Sequence, residues 1–258
     1  MKIVCSFGSC LSANVATNLS KIYSEWYRLS SVQHNRIDQF CDIYINKKYP
    51  ELKKTDLKFE LSKQYSYVNT IDNQLNDVGL GKALPKKEDK LPLINFFDAI
   101  NFGKIDLFIF DNFAELLFKI YKHREFGTPM FINENYLTNK AVEFQFVNKF
   151  IDDDKLYNSY DNVFDFLTRK NPLCKIVFIP FPINLKNNKN LTERSSSQHL
   201  QICKLKNNHK NLYVLPRRDI SIHDLVTHSD IYHFTDKCYL NYSREVLRNI
   251  IQGLICQY

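Results

Sequence analysis

The chain has 258 residues, of which 44% are hydrophobic and 24% charged, and its formal net charge is +7. These proportions are typical of globular proteins and exclude a chain that is disordered as a whole. No apolar run approaches the roughly 18 residues that a membrane span requires, and the first residues become polar too soon for a signal peptide. We therefore expect a soluble cytoplasmic protein with no membrane span.

The basic residues and the cysteines are both scattered along the chain. Lysines and arginines occur in pairs, such as Lys47-Lys48 and Arg217-Arg218, and form no run of five. A positive charge favours anionic partners such as phosphates, nucleotides or acidic glycans, but spaced pairs are more typical of a solvated surface. The seven cysteines include no Cys-x-x-Cys motif, which favours free thiols in a reducing compartment over a disulfide framework.

Short apolar strands alternate with amphipathic helices along most of the chain. A buried strand is predicted at 2–7, and a helix follows it, because apolar residues from Leu11 to Trp26 recur at helical spacing. Ser12 is the expected N-cap of this helix. Further strands are predicted at 105–110, 129–132, 175–179 and 212–215, and further helices from Phe113 to Tyr121 and from Tyr239 to Leu254.

This alternation predicts an α/β fold, a three-layer sandwich in which helices cover both faces of a mostly parallel central sheet. The stretch from about Tyr44 to Asn95 is different, because it is rich in lysine and weakly periodic. We interpret residues 44–95 as an insertion or cap on the sheet. The prediction is a single α/β domain over residues 1–258.

Three segments are expected to meet at the carboxyl ends of the strands, where such sheets bind ligands. The first is Gly8-Ser9-Cys10, between a strand and a helix. The free N–H groups and the dipole of the helix favour the thiolate form of a cysteine there and can stabilise an oxyanion. Gly8 allows backbone and substrate to approach closely. The alternative is a small buried cysteine that fills space beside a tight turn.

The second segment places Asp230 three residues before His233. In a turn-like loop, the carboxylate accepts a hydrogen bond from one ring nitrogen and leaves the other nitrogen as a general base. An incidental Asp and His on a surface loop is the alternative. His223, His228 and His233 follow one another at intervals of five residues. This spacing does not place them on one helix face, so no metal site is predicted.

The third segment is Asp111-Asn112, which follows a strand that ends at the same edge of the sheet. The side-chain N–H of Asn112 is a candidate donor to an oxyanion, and Asp111 can orient a backbone turn. Either residue can equally well cap the helix that is predicted from Phe113 onward. Both interpretations stay open at this point.

The order of these segments resembles the SGNH (GDSL-like) superfamily of hydrolases and acyltransferases, which has a flavodoxin-like fold. The first block of that superfamily, Phe-Gly-Asp-Ser-Leu, is similar to the segment Phe7-Gly8-Ser9-Cys10-Leu11. Its last block, Asp-x-x-His and then Tyr, is similar to the segment from Asp230 to Tyr239. Cysteine at the nucleophile position resembles the Gly-Ser-Cys, WcbI-like branch from bacterial polysaccharide loci. Residues 27–31 and 106–133 resemble further parts of that branch, whereas 44–95 has no counterpart.

The resemblance implies an acyltransferase, in particular an O-acetyltransferase that modifies a bacterial surface polysaccharide, such as a capsule, or its precursor. Cys10 is then the nucleophile that forms a thioester, and it is preferred to Ser9 because a thiol ionises more readily. His233 takes the thiol proton and later activates the sugar hydroxyl, while Asp230 holds the tautomer of His233.

The same resemblance implies roles for residues around the nucleophile. The N–H groups of Cys10 and Leu11, together with Asn112, are the expected oxyanion donors, beside the turn formed by Gly8 and Ser9. Arg28 is the candidate to bind an anionic group of the donor or acceptor. No tightly bound cofactor is expected. Acetyl-CoA is the candidate acyl donor, and a saccharide or polysaccharide is the acceptor.

Three other functions are weighed against acyl transfer. An esterase or deacetylase would use the same residues with water in place of the sugar hydroxyl. A non-catalytic glycan- or nucleotide-binding protein on a degenerate SGNH fold is favoured by two incomplete blocks: the Gly-x-Asn-Asp block is not intact, and the Gly block has only Gly79 and Gly103 as candidates. A nucleic-acid partner is not expected, because most aromatic residues fall within apolar strand and helix patterns.

Overall fold

The computed structural model describes residues 1–60, 70–82, 85, 87 and 89–252. Strands and helices alternate along this part of the chain. The strands are β1 Lys2–Gly8, β2 Trp26–Gln33, β3 Leu107–Asp111, β4 Ile120–His123, β5 Pro129–Met130, β6 Phe144–Val147, β7 Lys175–Ile179, β8 Leu212–Val214, β9 Leu225–Thr227 and β10 Asp230–Phe234. The helices are α1 Cys10–Ile22, α2 Ile37–Phe40, α3 Phe96–Asn101, α4 Phe113–Leu117, α5 Asp153–Lys170, α6 Lys189–Leu205 and α7 Asp236–Gln252.

The central sheet has five strands in the order β2-β1-β3-β7-β8, and every neighbouring pair is parallel. Helices α1 and α7 cover one face, and helices α2, α3 and α5 cover the other. This arrangement confirms the predicted three-layer α/β fold. None of the described helices is long and apolar enough to cross a membrane.

Both faces of the sheet are buried, which explains why its strands are continuous apolar runs. Side chains alternate between the two faces of a strand. In β1, Ile3, Cys5 and Phe7 belong to the core on the α5 side, whereas Val4 belongs to the core on the α1 side. Because β1 and β3 are parallel neighbours, their carboxyl ends lie at the same edge of the sheet, and the residues that follow them lie close together.

Two small antiparallel sheets accompany the central one. Strands β9 and β10 form a hairpin near the end of the chain, and the other sheet has the order β5-β4-β6. A separate buried cluster packs against the second sheet. Its members are Leu52, Phe59, Ile71, Leu75, Tyr121, Met130, Ile132 and Phe144. Part of the segment 44–95 therefore packs on this sheet, whereas Tyr44 and Leu80 belong to the core of the central sheet, and Lys82 bridges Ser31 in β2. The status of 44–95 as an insertion stays a prediction.

Several predicted elements need correction. The helix from Phe113 ends at Leu117, and Ile120–His123 instead forms an antiparallel pair with β6, with an extended backbone at Phe118 between them. The strand predicted at 129–132 is limited to Pro129–Met130. The N-cap of α1 is Ser9, not Ser12. The end of the predicted last helix lies partly outside the described residues.

Candidate active site

The turn from β1 into α1 places Cys10 at the first position of the helix. Gly8 has a φ of +144°, and a Cβ atom there would lie 2.6 Å from the carboxyl group of Asp111. Ser9 caps the helix, because its Oγ accepts a hydrogen bond from the N–H of Leu11 at 3.0 Å. Cys10 is partly exposed. The turn thus presents a sulfur atom at the positive end of a thirteen-residue helix.

Asp111, at the end of the neighbouring strand β3, holds this turn in place. Its Oδ2 accepts hydrogen bonds from the N–H of Ser9 at 2.9 Å, the Oγ of Ser9 at 3.0 Å and the N–H of Ser12 at 2.9 Å. Its Oδ1 accepts from the N–H of Phe113 at 3.1 Å. Burial raises the pKa of Asp111, and these N–H donors oppose that shift. Asp111 therefore orients the backbone on both sides of Cys10 and starts α4.

The hairpin β9-β10 supplies the second part of the site. The Nδ1 atom of His233 lies 2.6 Å from Oδ2 of Asp230, whose Oδ1 accepts from the N–H of Tyr232 at 3.0 Å. Against the effect of burial, these two contacts hold the pKa of Asp230 below its usual range. The N–H of Phe234 donates to the hydroxyl of Tyr239 at 3.1 Å, which ties the strand to α7.

Cys10 and His233 meet at the carboxyl edge of the sheet, although they are 223 positions apart in the sequence. A hydrogen bond between their side chains, together with the charge of Cys10 and the contact with Asp230, raises the pKa of His233 to about 9 despite partial burial. Since Nδ1 faces Asp230, Nε2 is the ring nitrogen left for the sulfur. Thiolate and imidazolium stabilise each other in such a pair.

This arrangement can perform nucleophilic acyl chemistry. A cysteine next to a histidine whose other nitrogen is held by a carboxylate is the general pattern of an activated nucleophile. The N–H of Cys10 is at the first position of the helix, where no intrahelical acceptor exists, so it can donate to an oxyanion. The expected second donor is corrected by the structure, because the N–H of Leu11 already bonds to Ser9.

Two predicted site residues are engaged elsewhere. Asn112 is 1% exposed; its Nδ2 donates to Oε1 of Gln198 at 2.9 Å, and its Oδ1 accepts from the N–H of Phe181 at 2.9 Å. Its amide therefore joins α6 to the loop after β7 and is not directed at an oxyanion.

Arg28 does not reach the site either. It lies in the amino-terminal half of β2, in register with Val4, whereas the site lies beyond the carboxyl ends of the strands. Its guanidinium binds the carboxylate of Asp89, with Nε 2.9 Å from Oδ1, and its side chain is 1% exposed. The predicted role in binding an anionic substrate group therefore does not fit its position.

The sequence analysis missed Gln33, the last residue of β2. Gln33 is in register with Gly8, so it lies beside the turn that carries Cys10. It is 2% exposed, and none of the described residues offers a hydrogen-bond partner to its Nε2 or Oε1. A buried amide without partners is costly, which marks Gln33 as a candidate hydrogen-bonding group of the site. A polar residue at a strand end would have been the signal, but β2 itself was not predicted.

The nearest neighbours of the two candidates for the glycine block, Gly79 and Gly103, do not belong to the turn that carries Cys10. Gly103 precedes β3 and so lies toward the opposite edge of the sheet, while Gly79 packs against the backbone of Asp72. Within the described part of the chain, no group of three or more His, Cys, Asp or Glu side chains could hold a metal ion.

Comparison with known proteins relates the chain to esterases by fold. No model of a protein family matches the sequence, and no curated protein matches it. Among solved structures, an acetyl xylan esterase (Est2A) from the rumen bacterium Butyrivibrio proteoclasticus has a TM-score of 0.50 at 14% identity, over 97% of this chain and 64% of that one. A family two carbohydrate esterase from Cellvibrio japonicus has a TM-score of 0.48 at 14% identity, over 98% and 62%.

The chain thus spans less than two thirds of the length of these two esterases. At 14% identity, the likeness to Est2A shows the fold alone. It agrees with the three-layer α/β fold that the sequence predicts.

Proposed function

We propose that the protein is an acyl-transfer enzyme of the SGNH fold that acts on saccharides, with Cys10 as its nucleophile. The observation that carries this proposal is the hydrogen-bonded series of Cys10, His233 and Asp230 at the carboxyl edge of the sheet. The more specific proposal is O-acetylation of a bacterial surface polysaccharide or its precursor. Acetyl-CoA is the proposed donor, by analogy with the Gly-Ser-Cys branch that the first block resembles.

In the first half-reaction, the thiolate of Cys10 attacks the carbonyl carbon of the acyl donor. A carbon–sulfur bond to Cys10 forms and the bond to the leaving group breaks, so that a thioester remains on the enzyme. His233 gives its proton from Nε2 to the departing sulfur or oxygen. A pKa of about 9 keeps His233 protonated at neutral pH and therefore able to act as this acid.

In the second half-reaction, neutral His233 removes the proton from an acceptor hydroxyl. The hydroxyl oxygen forms a bond to the acyl carbon while the bond to Cys10 breaks, which regenerates the thiolate and the imidazolium. Asp230 keeps the ring of His233 in the required tautomer throughout. The N–H of Cys10 is the proposed backbone donor to the developing oxyanion.

An esterase is the second candidate, because water can replace the sugar hydroxyl in the second half-reaction without any change in the protein. The fold likeness to an acetyl xylan esterase is the observation that favours it. A thioester intermediate resists water better than it resists some other nucleophiles, which is the chemical argument for transfer.

The covalent step is tested by incubating the protein with acetyl-CoA or p-nitrophenyl acetate and mapping the acetylated peptide by mass spectrometry. We expect a hydroxylamine-labile acetyl group on Cys10, none in Cys10→Ala, and slow formation in His233→Ala. Cys203→Ala is the matched control. Cys203 also lies next to a histidine, with its Sγ 3.6 Å from Nε2 of His199, but this second Cys–His pair is in α6, outside the segments that carry Cys10 and His233. That variant should acetylate normally.

Discharge of the adduct separates the two enzyme functions. Transfer of the acetyl group to a saccharide in preference to water supports the acyltransferase, whereas release as free acetate alone supports the esterase. If neither donor modifies Cys10, the covalent mechanism is wrong and the non-catalytic binding protein becomes the better proposal.

A further inference from the structure

A cleft of about 510 Å³ begins beside the catalytic hairpin. This volume is within the range of roughly 300–1,000 Å³ that is usual for small-molecule sites. We call it the aromatic cleft because rings from α4, β4, β6, β10 and the segments that follow α4 and β5 dominate its lining. The aromatic residues that line it are Phe113, Phe118, Tyr121, Phe131, Phe146 and Tyr232.

Two residues that line the aromatic cleft, Phe113 and Tyr232, also hydrogen-bond to residues of the proposed active site. Tyr232 lies between Asp230 and His233 in β10, and its N–H donates to Asp230. Phe113 follows the residues that hold the Cys10 turn, and its own N–H donates to Asp111. The rings of Phe113 and Tyr232 meet edge to face with centroids 5.3 Å apart. A molecule in this cleft therefore lies against Tyr232, which hydrogen-bonds to Asp230, and against Phe113, which hydrogen-bonds to Asp111.

Two lysines, Lys119 and Lys186, also give the cleft positive charge. The amine of Lys186 donates to the hydroxyl of Tyr232, and that of Lys119 donates to the side chain of Asn148. Within the described residues, neither amine has a carboxylate at ion-pair distance. The only carboxylate that lines the described cleft, Glu134, is hydrogen-bonded to the hydroxyl of Tyr121.

We propose that the aromatic cleft binds the acyl acceptor, and that this acceptor is an anionic saccharide, with a carboxylate or a phosphate on the sugar. The inference rests on the proposed function and names its substrate class. Aromatic rings provide flat apolar surfaces for the C–H faces of a sugar ring, while the amide side chains of Asn133 and Asn135 line the same cleft and can bond hydroxyl groups. Lys119 and Lys186 bind the anionic group.

The test compares three probes with the same ring: glucose, glucuronate and glucose 6-phosphate. Binding is measured by NMR titration of the unmodified protein, and the discharge of acetylated Cys10 is measured in parallel. We expect at least one anionic probe to bind about tenfold more tightly than glucose, with an affinity that falls as salt rises. The preferred anionic probe distinguishes a uronic acid from a sugar phosphate.

Lys186→Met should remove most of this preference and leave the binding of glucose unchanged, whereas Lys186→Arg should retain it. Phe146→Ala should weaken all three probes, because it removes a ring that is 48% exposed and not a charge. The matched control is Lys170→Met, a lysine at the exposed end of α5 outside the cleft, and this variant should bind as the parent does.

Equal binding of glucose and both anionic probes would overturn the proposal. A second result would also overturn it: Lys186→Met raises the concentration of acetyl-CoA needed to acylate Cys10 but does not change saccharide binding. The cleft would then be the donor site. Failure of the proposed function is recognised separately: Cys10 would not acylate, while selective saccharide binding and its loss in Lys186→Met would persist.

Discussion

The side chain of His233 reports the electrostatics of the site through its own titration. Its pKa is raised to about 9, chiefly by Cys10 and further by Asp230. Titration of the ring by NMR should therefore give a midpoint near 9 in the unmodified protein. Cys10→Ala should lower this midpoint toward the ordinary value of about 6.5, and Asp230→Asn should lower it less. Cys203→Ala is the control and should leave it unchanged. A midpoint near 6.5 in the unmodified protein would contradict the pairing with Cys10.

The same shift predicts how stability depends on pH. The pKa of His233 is higher in the folded state than the ordinary value of about 6.5 that applies on unfolding. The folded state therefore binds the proton more tightly, and the stabilisation is complete below pH 6.5 and is lost as the pH rises through 9. Urea denaturation across this window should show a steeper loss of stability than in His233→Gln, which removes the titrating group. Parallel profiles for the two proteins would argue against the shift.

Asp111 is the residue on which the geometry of Cys10 most depends. In Asp111→Asn, an NH₂ group replaces one carboxylate oxygen, and either oxygen accepts hydrogen bonds that an N–H cannot accept. We expect a loss of at least about 2 kcal/mol in the free energy of unfolding and slower alkylation of Cys10 by iodoacetamide. Asp165→Asn is the control, because Asp165 is 58% exposed and forms a surface ion pair with Arg169. If Asp111→Asn were as stable as this control, the hydrogen bonds of Asp111 to the Cys10 turn would contribute little to stability.

At the scale of elements, the strand-to-helix turn depends on Gly8. Gly8→Ala forces a Cβ atom to within 2.6 Å of Asp111 at a φ of +144°, so both strain and overlap oppose it. We expect a cost of about 3 kcal/mol and loss of the native reactivity of Cys10. Gly103→Ala is a matched control, because the φ of Gly103 is +70° but a Cβ atom there would lie 3.8 Å from its nearest neighbour, the carbonyl oxygen of Asn101. This substitution should cost about 1–2 kcal/mol. Equal costs, measured by urea denaturation, would show that Asp111 yields easily.

The elements that the sequence predicted well are those whose pattern is local. Strands β1, β3 and β7 are apolar runs, and α1 and α7 keep helical spacing. Strand β2 was missed because it contains buried polar residues whose partners are distant in the sequence: Ser31 bonds to Ser6, and Arg28 binds Asp89. The helix predicted over 113–121 is confirmed only as far as Leu117, because the residues from Ile120 onward pair with β6, a contact across more than 20 residues.

The residues of the proposed site also differ in how well the sequence predicts them. Gly8, Cys10, Asp230 and His233 stand in short blocks whose internal spacing is visible in the sequence, and the structure brings their segments together. The role of Asn112 could not be predicted, because Gln198, the residue that occupies its amide, is 86 positions away. Whether a side-chain amide is free to bind a substrate depends on its tertiary hydrogen-bond partners, and a local sequence pattern does not identify these partners.

At the scale of the molecule, both ends of the chain build the site. Cys10 begins α1, His233 precedes α7, and these helices pack on each other over one face of the sheet. The hydroxyl of Ser243 in α7 donates to the carbonyl of Val15 in α1 at 2.9 Å. Because the pairing of Cys10 with His233 depends on the packing of these two helices on the sheet, we expect the proposed site to form only when the whole sheet has formed.

Unfolding in urea tests this dependence with probes that the chain already contains. Trp26 is the single tryptophan and lies at the amino edge of the sheet, so its fluorescence reports the end opposite the site. The buried cysteines that sample both faces and both chain ends are Cys5, Cys41, Cys174 and Cys238. We expect all of them to become labelled by a pulse of iodoacetamide at the urea concentration where the fluorescence changes, because a single cooperative domain exposes them together. Cys10 and Cys203 are partly exposed and should react before the transition. Labelling of Cys238 at lower urea than Cys5 would mean that α7 separates first, and that His233 leaves Cys10 while the sheet is still folded.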